Sequence, residues 1–263
     1  MQALIHHLKY YLAIVKLSYM TALTYRASHV LRYFRILMEF IISIIFINIV
    51  FSKTSNLGAW TRPEVFLVFA IWTTAFSAHF LLLSDSLHQT SRDIREGEID
   101  FLLTRPLDSQ FLSTFRAVHV DNIFRVFGGI IMMIYSLNHL FVIIPIANWI
   151  LFGALFIASV VILYSFLFLG VSAAFATSGT EQLNILESIL QVGKYPMDIF
   201  NPKITIVMSS ILPLIFISTI PARTLLGKLD YLSWIIFPIA GILFFISRTA
   251  WKFALRHYSS ASS

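Results

Sequence analysis

The stretch WILFGALFIASVVILYSFLFLGVSAAFA, residues 149–176, decides the fold of this chain. It contains no charged residue, and it exceeds the roughly 20 apolar residues that a helix needs to cross the hydrocarbon core of a bilayer. Lipid offers no hydrogen-bond partners to a backbone, so such a segment is stable there as a helix whose own N–H and C=O groups pair. The stretch therefore predicts a membrane-spanning helix, long enough to tilt or to continue beyond the membrane.

The composition of the whole chain agrees with this prediction. Of 263 residues, 58% are apolar and 12% are charged, whereas a soluble domain is roughly 45–50% apolar and about 25% charged. A water-soluble fold of this length could not bury so much apolar surface. The absence of cysteine excludes a disulfide framework and a thiolate zinc site. We therefore expect residues 1–263 to form one all-α, polytopic transmembrane domain.

Five further apolar stretches bring the expected number of transmembrane helices to six. They run over residues 35–51, 64–83, 118–141, 204–220 and 231–246. Pro213 and Pro238 lie inside the last two. Proline removes an intrahelical hydrogen bond, so both of these spans are expected to be bent.

The segment before the first span predicts an interfacial amphipathic helix over residues 1–34. Leu4, Leu8 and Leu12 recur at helical spacing, while Lys9 and Lys16 share another face. A basic helix of this kind lies in the membrane interface with its apolar side down. The segment lacks the short apolar core and small-residue site of a cleaved signal peptide.

The distribution of basic residues predicts the orientation in the membrane. Fourteen of the 19 lysine and arginine residues fall in the alternate segments 1–35, 84–117, 177–203 and 247–263. The loops between them hold Lys53, Arg62, Arg223 and Lys228. Cytoplasmic segments carry the excess of basic residues, so both termini are expected to be cytoplasmic.

The same distribution argues against a nucleic-acid partner, although the net charge is +6. The basic residues punctuate apolar runs and form no soluble patch. The chain contains no phosphate-binding loop, no H-E-x-x-H metal motif and no G-x-S-x-G nucleophile elbow. We therefore predict neither a catalytic site nor a resident metal or cofactor in this chain.

The charged loop over residues 84–117 is the strongest candidate for binding a soluble partner. It reads SRDIREGEIDFLLTRPL over residues 91–107, with charges of both signs followed by an apolar patch and a proline. A short amphipathic helix there would place Ile99, Leu102 and Leu103 on one face. Docking to a soluble partner is one interpretation, and a solvated loop that only orients its neighbours is the other.

This loop resembles the signature of type-two ABC exporter permeases. The matching runs are IREGEID at 94–100 and LLTRPL at 102–107. The stretches KYPMDIF at 194–200 and RHYSSASS at 256–263 are similar to a bacterial branch of these permeases, encoded beside an ATPase and a second permease. Each motif alone is weak, but their order around six spans covers nearly the whole chain.

The resemblance implies a membrane subunit that works by alternating access in the bacterial inner membrane. A partner ABC ATPase would bind ATP and Mg, and a second permease, the same or a related chain, would complete a dimer in the lipid. The implied ATPase-coupling residues are Arg95, Gly97, Glu98, Asp100, Leu102, Leu103 and Pro106. Such permeases often carry a helical insertion between spans five and six, but the short loop at 222–230 argues against one here.

Polar residues inside the expected spans form a second candidate site, a path or gate. They are Glu39, Thr73, Ser77, His79, Asp121 and Arg125. Glu39 lies four residues after Arg35, and Arg125 four after Asp121, so each pair could neutralise itself along one helix. Intramembrane charges also tend to face the bundle interior, which favours a path. Hydroxyls at this spacing also serve helix packing.

Two other function classes remain open from the sequence. A non-enzymatic membrane scaffold or assembly protein would have no ATPase partner. An ion-driven secondary transporter would favour carboxylates near the midplane and an internal repeat. No repeat is visible, and Glu39 lies near the cytoplasmic end of its span.

Overall fold

The computed structural model describes residues 26–140, 143–177, 181–210 and 212–258, with Ile14 and Met20. The helices are α1 Arg26–Phe51, α2 Arg62–Leu82, α3 Ser84–Glu96, α4 Asp100–Leu103, α5 Ser109–Thr114, α6 Ile123–Leu140, α7 Ile146–Thr177, α8 Glu181–Leu190, α9 Pro202–Ser210, α10 Leu214–Ile217, α11 Thr219–Leu225 and α12 Leu232–His257. Short 3₁₀ turns cover Val120–Asn122, Gln191–Lys194 and Met197–Ile199. The strands β1 Asn56–Leu57 and β2 Trp60–Thr61 pair antiparallel.

Five of these helices are long and apolar enough to cross a membrane, which confirms the all-α polytopic fold. They are Val30–Phe51 within α1, then α2, α6, α7 and α12. The first span was expected to begin near residue 35, but α1 already begins at Arg26. Most of the expected interfacial helix, residues 1–25, lies outside the described residues apart from Ile14 and Met20.

Helix α2 is the centre of the bundle. In its most apolar stretch of 18 residues, 72% of α2 is buried inside the protein, whereas the corresponding share is 17% in α1 and in α6. The backbone N–H of Thr61 donates to the Glu64 carboxylate at 2.8 Å and so caps the helix start. Gly129 lets α6 approach closely, because a Cβ there would overlap Thr74 Oγ1. The two ends of α2 can therefore be used to locate the other segments along the bundle.

The hairpin β1–β2 marks one end of the bundle, here called the hairpin end. Helices α3 to α5 mark the opposite end, here called the loop end. Since α2 joins the hairpin directly to α3, its Arg62 end belongs to the hairpin end and its Leu82 end to the loop end.

The fifth crossing runs through residues 181–199 and not through 204–220. At the loop end, Glu187 Oε1 lies 3.3 Å from His79 Nε2. Further along, the Leu190 carbonyl accepts from Trp72 Nε1 at 3.2 Å. At the hairpin end, Asp198 accepts from Trp60 Nε1 at 2.9 Å. The part of α2 between the first and last of these contacts is about 25 Å long, close to the thickness of a bilayer core.

Residues 202–225 form a re-entrant hairpin that begins and ends at the hairpin end. Helices α9 and α10–α11 meet at an angle of 76°, next to Pro213, so the expected bend there is confirmed. In the first arm, Thr205 Oγ1 donates to the Met197 carbonyl at 2.9 Å. In the second arm, Arg223 Nη2 donates to Asp198 at 2.7 Å. The start of the second arm lies inside the bundle, where Ser159 Oγ of α7 donates to the Phe216 carbonyl at 2.6 Å.

Two sequence predictions are therefore wrong. Five crossings are the long apolar helices α1, α2, α6, α7 and α12, and the contacts of the 181–199 segment add a sixth. The span expected at 204–220 is the re-entrant hairpin. This hairpin is also a helical insertion between crossings five and six, the feature that the short 222–230 loop argued against. Apolar composition misplaced the crossing, because 204–220 is apolar enough to span while 181–199 carries Glu187 and Lys194.

Candidate coupling surface and polar cavity

The loop end carries a short ordered surface between α3 and α5, formed by residues 95–106 and here called the coupling surface because it contains the residues predicted for ATPase coupling. Helix α3 ends at Gly97, whose φ of +76° is the left-handed conformation that favours glycine at a helix C-terminus. The Glu98 N–H donates to the Asp93 carbonyl at 2.8 Å and tightens this turn. The turn leads directly into the single-turn helix α4, so the chain reverses over a few residues with a fixed geometry.

Helix α4 exposes Phe101 and Leu103, with 75% and 38% of their surface accessible. Ile99 and Leu102 are turned inward, at 0% and 5% exposure. Of the three residues expected to share one apolar face, Ile99 and Leu102 therefore pack inside the protein, and Leu103 is exposed. Phe101 was missed, because in a helix of one turn the packing of the loop, and not helical periodicity, selects the outward side. Of the other residues predicted for coupling, Arg95, Glu98 and Pro106 are exposed, and Gly97 and Asp100 are half-buried.

Polar contacts hold α5 firmly against α3. The side chains of Arg116 and Asp93 form an ion pair. Thr90 Oγ1 donates to the Ser113 carbonyl at 3.1 Å, and Ser86 Oγ accepts from the Arg116 N–H at 3.0 Å. The loop between crossings two and three is therefore a packed unit and not a free linker.

The same unit is joined to two membrane helices through α5. Gln110 Nε2 donates to the Tyr164 hydroxyl of α7 at 3.0 Å. Trp251 Nε1 of α12 donates to Ser109 Oγ at 3.0 Å, and Arg248 Nη2 donates to Asp108 at 2.7 Å. A displacement of the α3–α5 unit would therefore be passed to α7 and α12.

The electrostatics of Asp108 favour this connection at neutral pH. Partial burial alone would raise the pKa of Asp108. The hydrogen bonds from Arg248 and from the backbone N–H of Phe111 outweigh burial, so the pKa lies below its ordinary value. Asp108 is thus ionised and also caps the start of α5, where its carboxylate accepts from Phe111 at 3.0 Å.

A polar cavity of about 730 Å³ opens at the loop end beside this unit. Its walls come from α1, α2, α3, α6, the 3₁₀ turn before α6, and the fifth crossing. The lining residues are Leu31, Arg32, Arg35, Glu39, Phe80, Ser84, Asp85, His88, His119, Asn122, Arg125, Asn184, Glu187 and Gln191. The rings of Trp72 and Phe76, on the hairpin-end side of Phe80 along α2, stack with their centroids 4.5 Å apart. The Trp72–Leu190 hydrogen bond joins α2 to the fifth crossing. Both contacts lie on the hairpin-end side of the cavity.

Ion pairs in this cavity join different helices. Arg125 of α6 pairs with Glu39 of α1. Arg32 of α1 pairs with Asp121, before α6, at 3.1 Å. The expected pairs within one helix, Arg35 with Glu39 and Asp121 with Arg125, are therefore wrong. Because α1 and α6 present their charges to the same cavity, Glu39 pairs with Arg125 of the facing helix and not with Arg35 of its own helix.

Histidine residues connect the remaining charges of the cavity. His119 lies between Asp85, with which it pairs, and Arg32, whose Nη1 is 2.8 Å from His119 Nδ1. Glu187 lies 3.3 Å from His79, and it accepts from Ser84 at 3.0 Å. Its second oxygen lies 3.4 Å from His88. The fifth crossing is thereby tied to α2 and α3.

The residues predicted for a path divide into three groups. Glu39 and Arg125 line the cavity. Asp121 and His79 lie behind it, as partners of lining residues. Thr73 and Ser77 lie in the core of α2, at 4% and 0% exposure, and their hydroxyls have no hydrogen-bond partner among the described residues. Glu187 and His88 were missed because their positions read as cytoplasmic loop in the sequence.

A second charged cluster lies at the hairpin end. Asp198 accepts from Trp60 and Arg223, and Lys228 Nζ lies 2.7 Å from Glu64 Oε1. A cavity of about 250 Å³ lies between Trp60, Asp198, Arg223 and Lys228. These contacts hold the re-entrant hairpin to the β-hairpin and to the start of α2.

Comparison with known proteins gives one match. A family model described as "ABC-2 family transporter protein" matches residues 37–262. No curated protein and no solved structure matches the chain. The matched range contains the coupling surface, the re-entrant hairpin and all of the cavity residues after Arg35.

Proposed function

This chain belongs to the ABC-2 transporter family, and from that premise we propose that it is the membrane subunit of an ATP-driven exporter. Members of this family are transmembrane subunits and not catalysts, and the family implies an ATPase partner in an ABC system. In the proposed cycle, a separate ATPase hydrolyses ATP and the membrane subunits alternate between inward-open and outward-open states.

The exposure of Phe101 and Leu103 on α4 carries this proposal. A large apolar side chain held outward by a packed loop is the type of anchor that dominates a protein–protein interface. Exposed charges of both signs, Arg95 and Glu98 among them, surround it and supply a polar rim. The proposed occupant of this surface is a groove of the ATPase.

The contacts of α3 and α5 support the transmission of movement. Through α5, the coupling surface is bonded to Tyr164 of α7 and Arg248 of α12. Helix α3, which leads into the coupling surface, also contributes Asp85 and His88 to the wall of the polar cavity. A displacement of α4 would therefore change both the packing of the helices and the shape of the cavity, as alternating access requires.

The corrected topology supports the proposed orientation. With the fifth crossing at 181–199, Lys203 moves to the hairpin end, and Arg125 and Lys194 lie within crossings. Among the described residues, the loop end then holds ten basic residues: Arg26, Arg32, Arg35, Arg92, Arg95, Arg105, Arg116, Arg248, Lys252 and Arg256. The hairpin end holds five: Lys53, Arg62, Lys203, Arg223 and Lys228. The excess favours a cytoplasmic loop end and cytoplasmic termini in a bacterial inner membrane.

A second permease completes the proposed transporter. Helix α1 exposes a row of large apolar side chains, including Leu37, Ile41 and Ile45. Lipid covers such a row in a single copy, and a second permease, the same or a related chain, covers part of it in a dimer.

The test is to extract the tagged protein in mild detergent and to identify the co-purifying proteins by mass spectrometry. A stoichiometric P-loop ATPase, followed by ATP-dependent flux after reconstitution, is the expected result. A protein that purifies without an ATPase and shows no ATP-dependent activity would instead support a scaffold. Flux that follows an imposed ion gradient without ATP would support a secondary transporter.

A further inference from the structure

The carboxylates that line the polar cavity all have a basic partner. Glu39 pairs with Arg125, Asp85 pairs with His119, and Glu187 contacts both His79 and His88. None of the three is therefore placed to neutralise a further cation in the cavity.

Arg35 is the exception among the arginines that line this cavity. Arg125 is paired with Glu39, and Arg32 with Asp121. Arg35 is exposed and lines the same space, but it makes no hydrogen bond or ion pair with any residue that the structure describes. Its charge is in excess, because the carboxylate one turn along its own helix, Glu39, is held by α6.

Neutral hydrogen-bond donors line the cavity together with Arg35. They are the amide side chains of Asn122, Asn184 and Gln191, which come from the turn before α6 and from the fifth crossing. An arginine offers a planar fork of N–H groups that matches phosphate oxygens, and the amides add donors from other walls. Leu31 and Phe80 supply apolar surface in the same cavity.

We propose that this cavity binds a phosphate group of the transported molecule, with Arg35 as the residue that recognises it. That the bound molecule is transported rests on the proposed function, but its binding to the cavity does not depend on an ATPase. A phosphate-bearing amphiphile and a free phosphate share this chemistry, and the experiment separates them.

The experiment measures binding to the purified full-length chain, with any co-purifying subunit, in neutral dodecyl maltoside. The shift of the thermal unfolding midpoint is followed with increasing dodecyl phosphate, and separately with inorganic phosphate. R35Q is compared with the wild type and with K252Q. Lys252 is an exposed cation at the same end of the bundle that does not line the cavity, so K252Q removes the same charge elsewhere.

Dodecyl phosphate is expected to bind the wild type and K252Q alike, and R35Q about tenfold more weakly, because a charge-assisted contact is lost. R35K, which keeps the charge without the fork, is expected to lie between them. Since Arg35 has no partner among the described residues, R35Q should leave the unliganded midpoint unchanged. Arg35-dependent binding of dodecyl phosphate alone assigns an amphiphile, and equal binding of inorganic phosphate assigns the free anion.

Equal affinity in R35Q and the wild type, or no binding of either phosphate, would overturn the inference. The transport proposal fails separately. If no ATPase co-purifies and no ATP-dependent flux is seen, while R35Q still weakens phosphate binding, the site stands and the exporter does not.

Discussion

The two ends of the bundle differ in how their charges are used. At the loop end, charges line an open cavity of about 730 Å³ and join α1, α3, α6 and the fifth crossing across it. At the hairpin end, Asp198 pairs with Arg223 and Glu64 pairs with Lys228, beside a smaller space of about 250 Å³. Charges at the loop end therefore line a large cavity beside the coupling surface, whereas charges at the hairpin end hold the re-entrant hairpin to the start of α2.

The largest expected effect comes from the coupling surface. F101E places a carboxylate where an apolar anchor is exposed, and truncation of such an anchor costs about 2–4 kcal/mol, or roughly 30- to 1,000-fold in affinity. We expect the ATPase to be lost from the purified complex and ATP-dependent flux to disappear. Both are measured by quantitative co-purification and by flux into proteoliposomes.

L229E is the matched control for F101E. Leu229 is also an exposed apolar residue, at 53% exposure, but it lies at the hairpin end. It should leave ATPase binding unchanged. If F101E behaves like L229E, the contact with the ATPase lies elsewhere on the chain.

The next largest effect is expected in the charged cluster at the hairpin end. D198A leaves the Arg223 guanidinium and the Trp60 N–H without their shared acceptor, which costs about 2–3 kcal/mol for a half-buried charged group. The thermal unfolding midpoint should fall by several degrees. D198N keeps one carbonyl acceptor and should fall less. An unchanged midpoint in D198A would show that the re-entrant hairpin is held by packing alone.

A smaller effect is expected inside the polar cavity. A double-mutant cycle of E39Q and R125Q should give a coupling energy of about 1 kcal/mol, because the pair is only partly shielded from water. The matched cycle of R35Q and E39Q should give a value near zero. A larger coupling for the second cycle would restore the pairing along α1 that the sequence suggested.

The smallest effect is a pH dependence at Asp108. Its pKa is lowered in the folded protein, so its contribution to stability is present above the ordinary value of about 3.9 and is lost as the pH falls through the lowered pKa. The difference in unfolding midpoint between the wild type and D108N should therefore shrink as the pH is lowered from 6 towards 3. A difference that stays constant over this range would contradict the ion pair with Arg248.

Much of the fold could be predicted from consecutive residues, whereas the pairings could not. The long apolar runs located α2, α6, α7 and α12 to within a few residues, apart from the loop-end extension of α12 to His257. The charged loop at 84–117, which contains the glycine turn, was predicted from the sequence. The outward position of Phe101 could not be predicted, because it depends on which residues of the loop pack inward. The cavity could be predicted only in part: Glu39 and Arg125 were expected to line a path, but Glu187 had been placed outside the membrane.

The sequence by itself determined that this is a helical membrane protein of six crossings with a charged loop between crossings two and three. Hydropathy decides this, because it sums over neighbouring residues and needs no partner. Only the tertiary structure decided that 181–199 crosses and 202–225 turns back, and that Arg125 takes Glu39 and leaves Arg35 free of any described partner. Whether a polar segment enters the bundle depends on the groups that meet it there, and these come from distant parts of the chain.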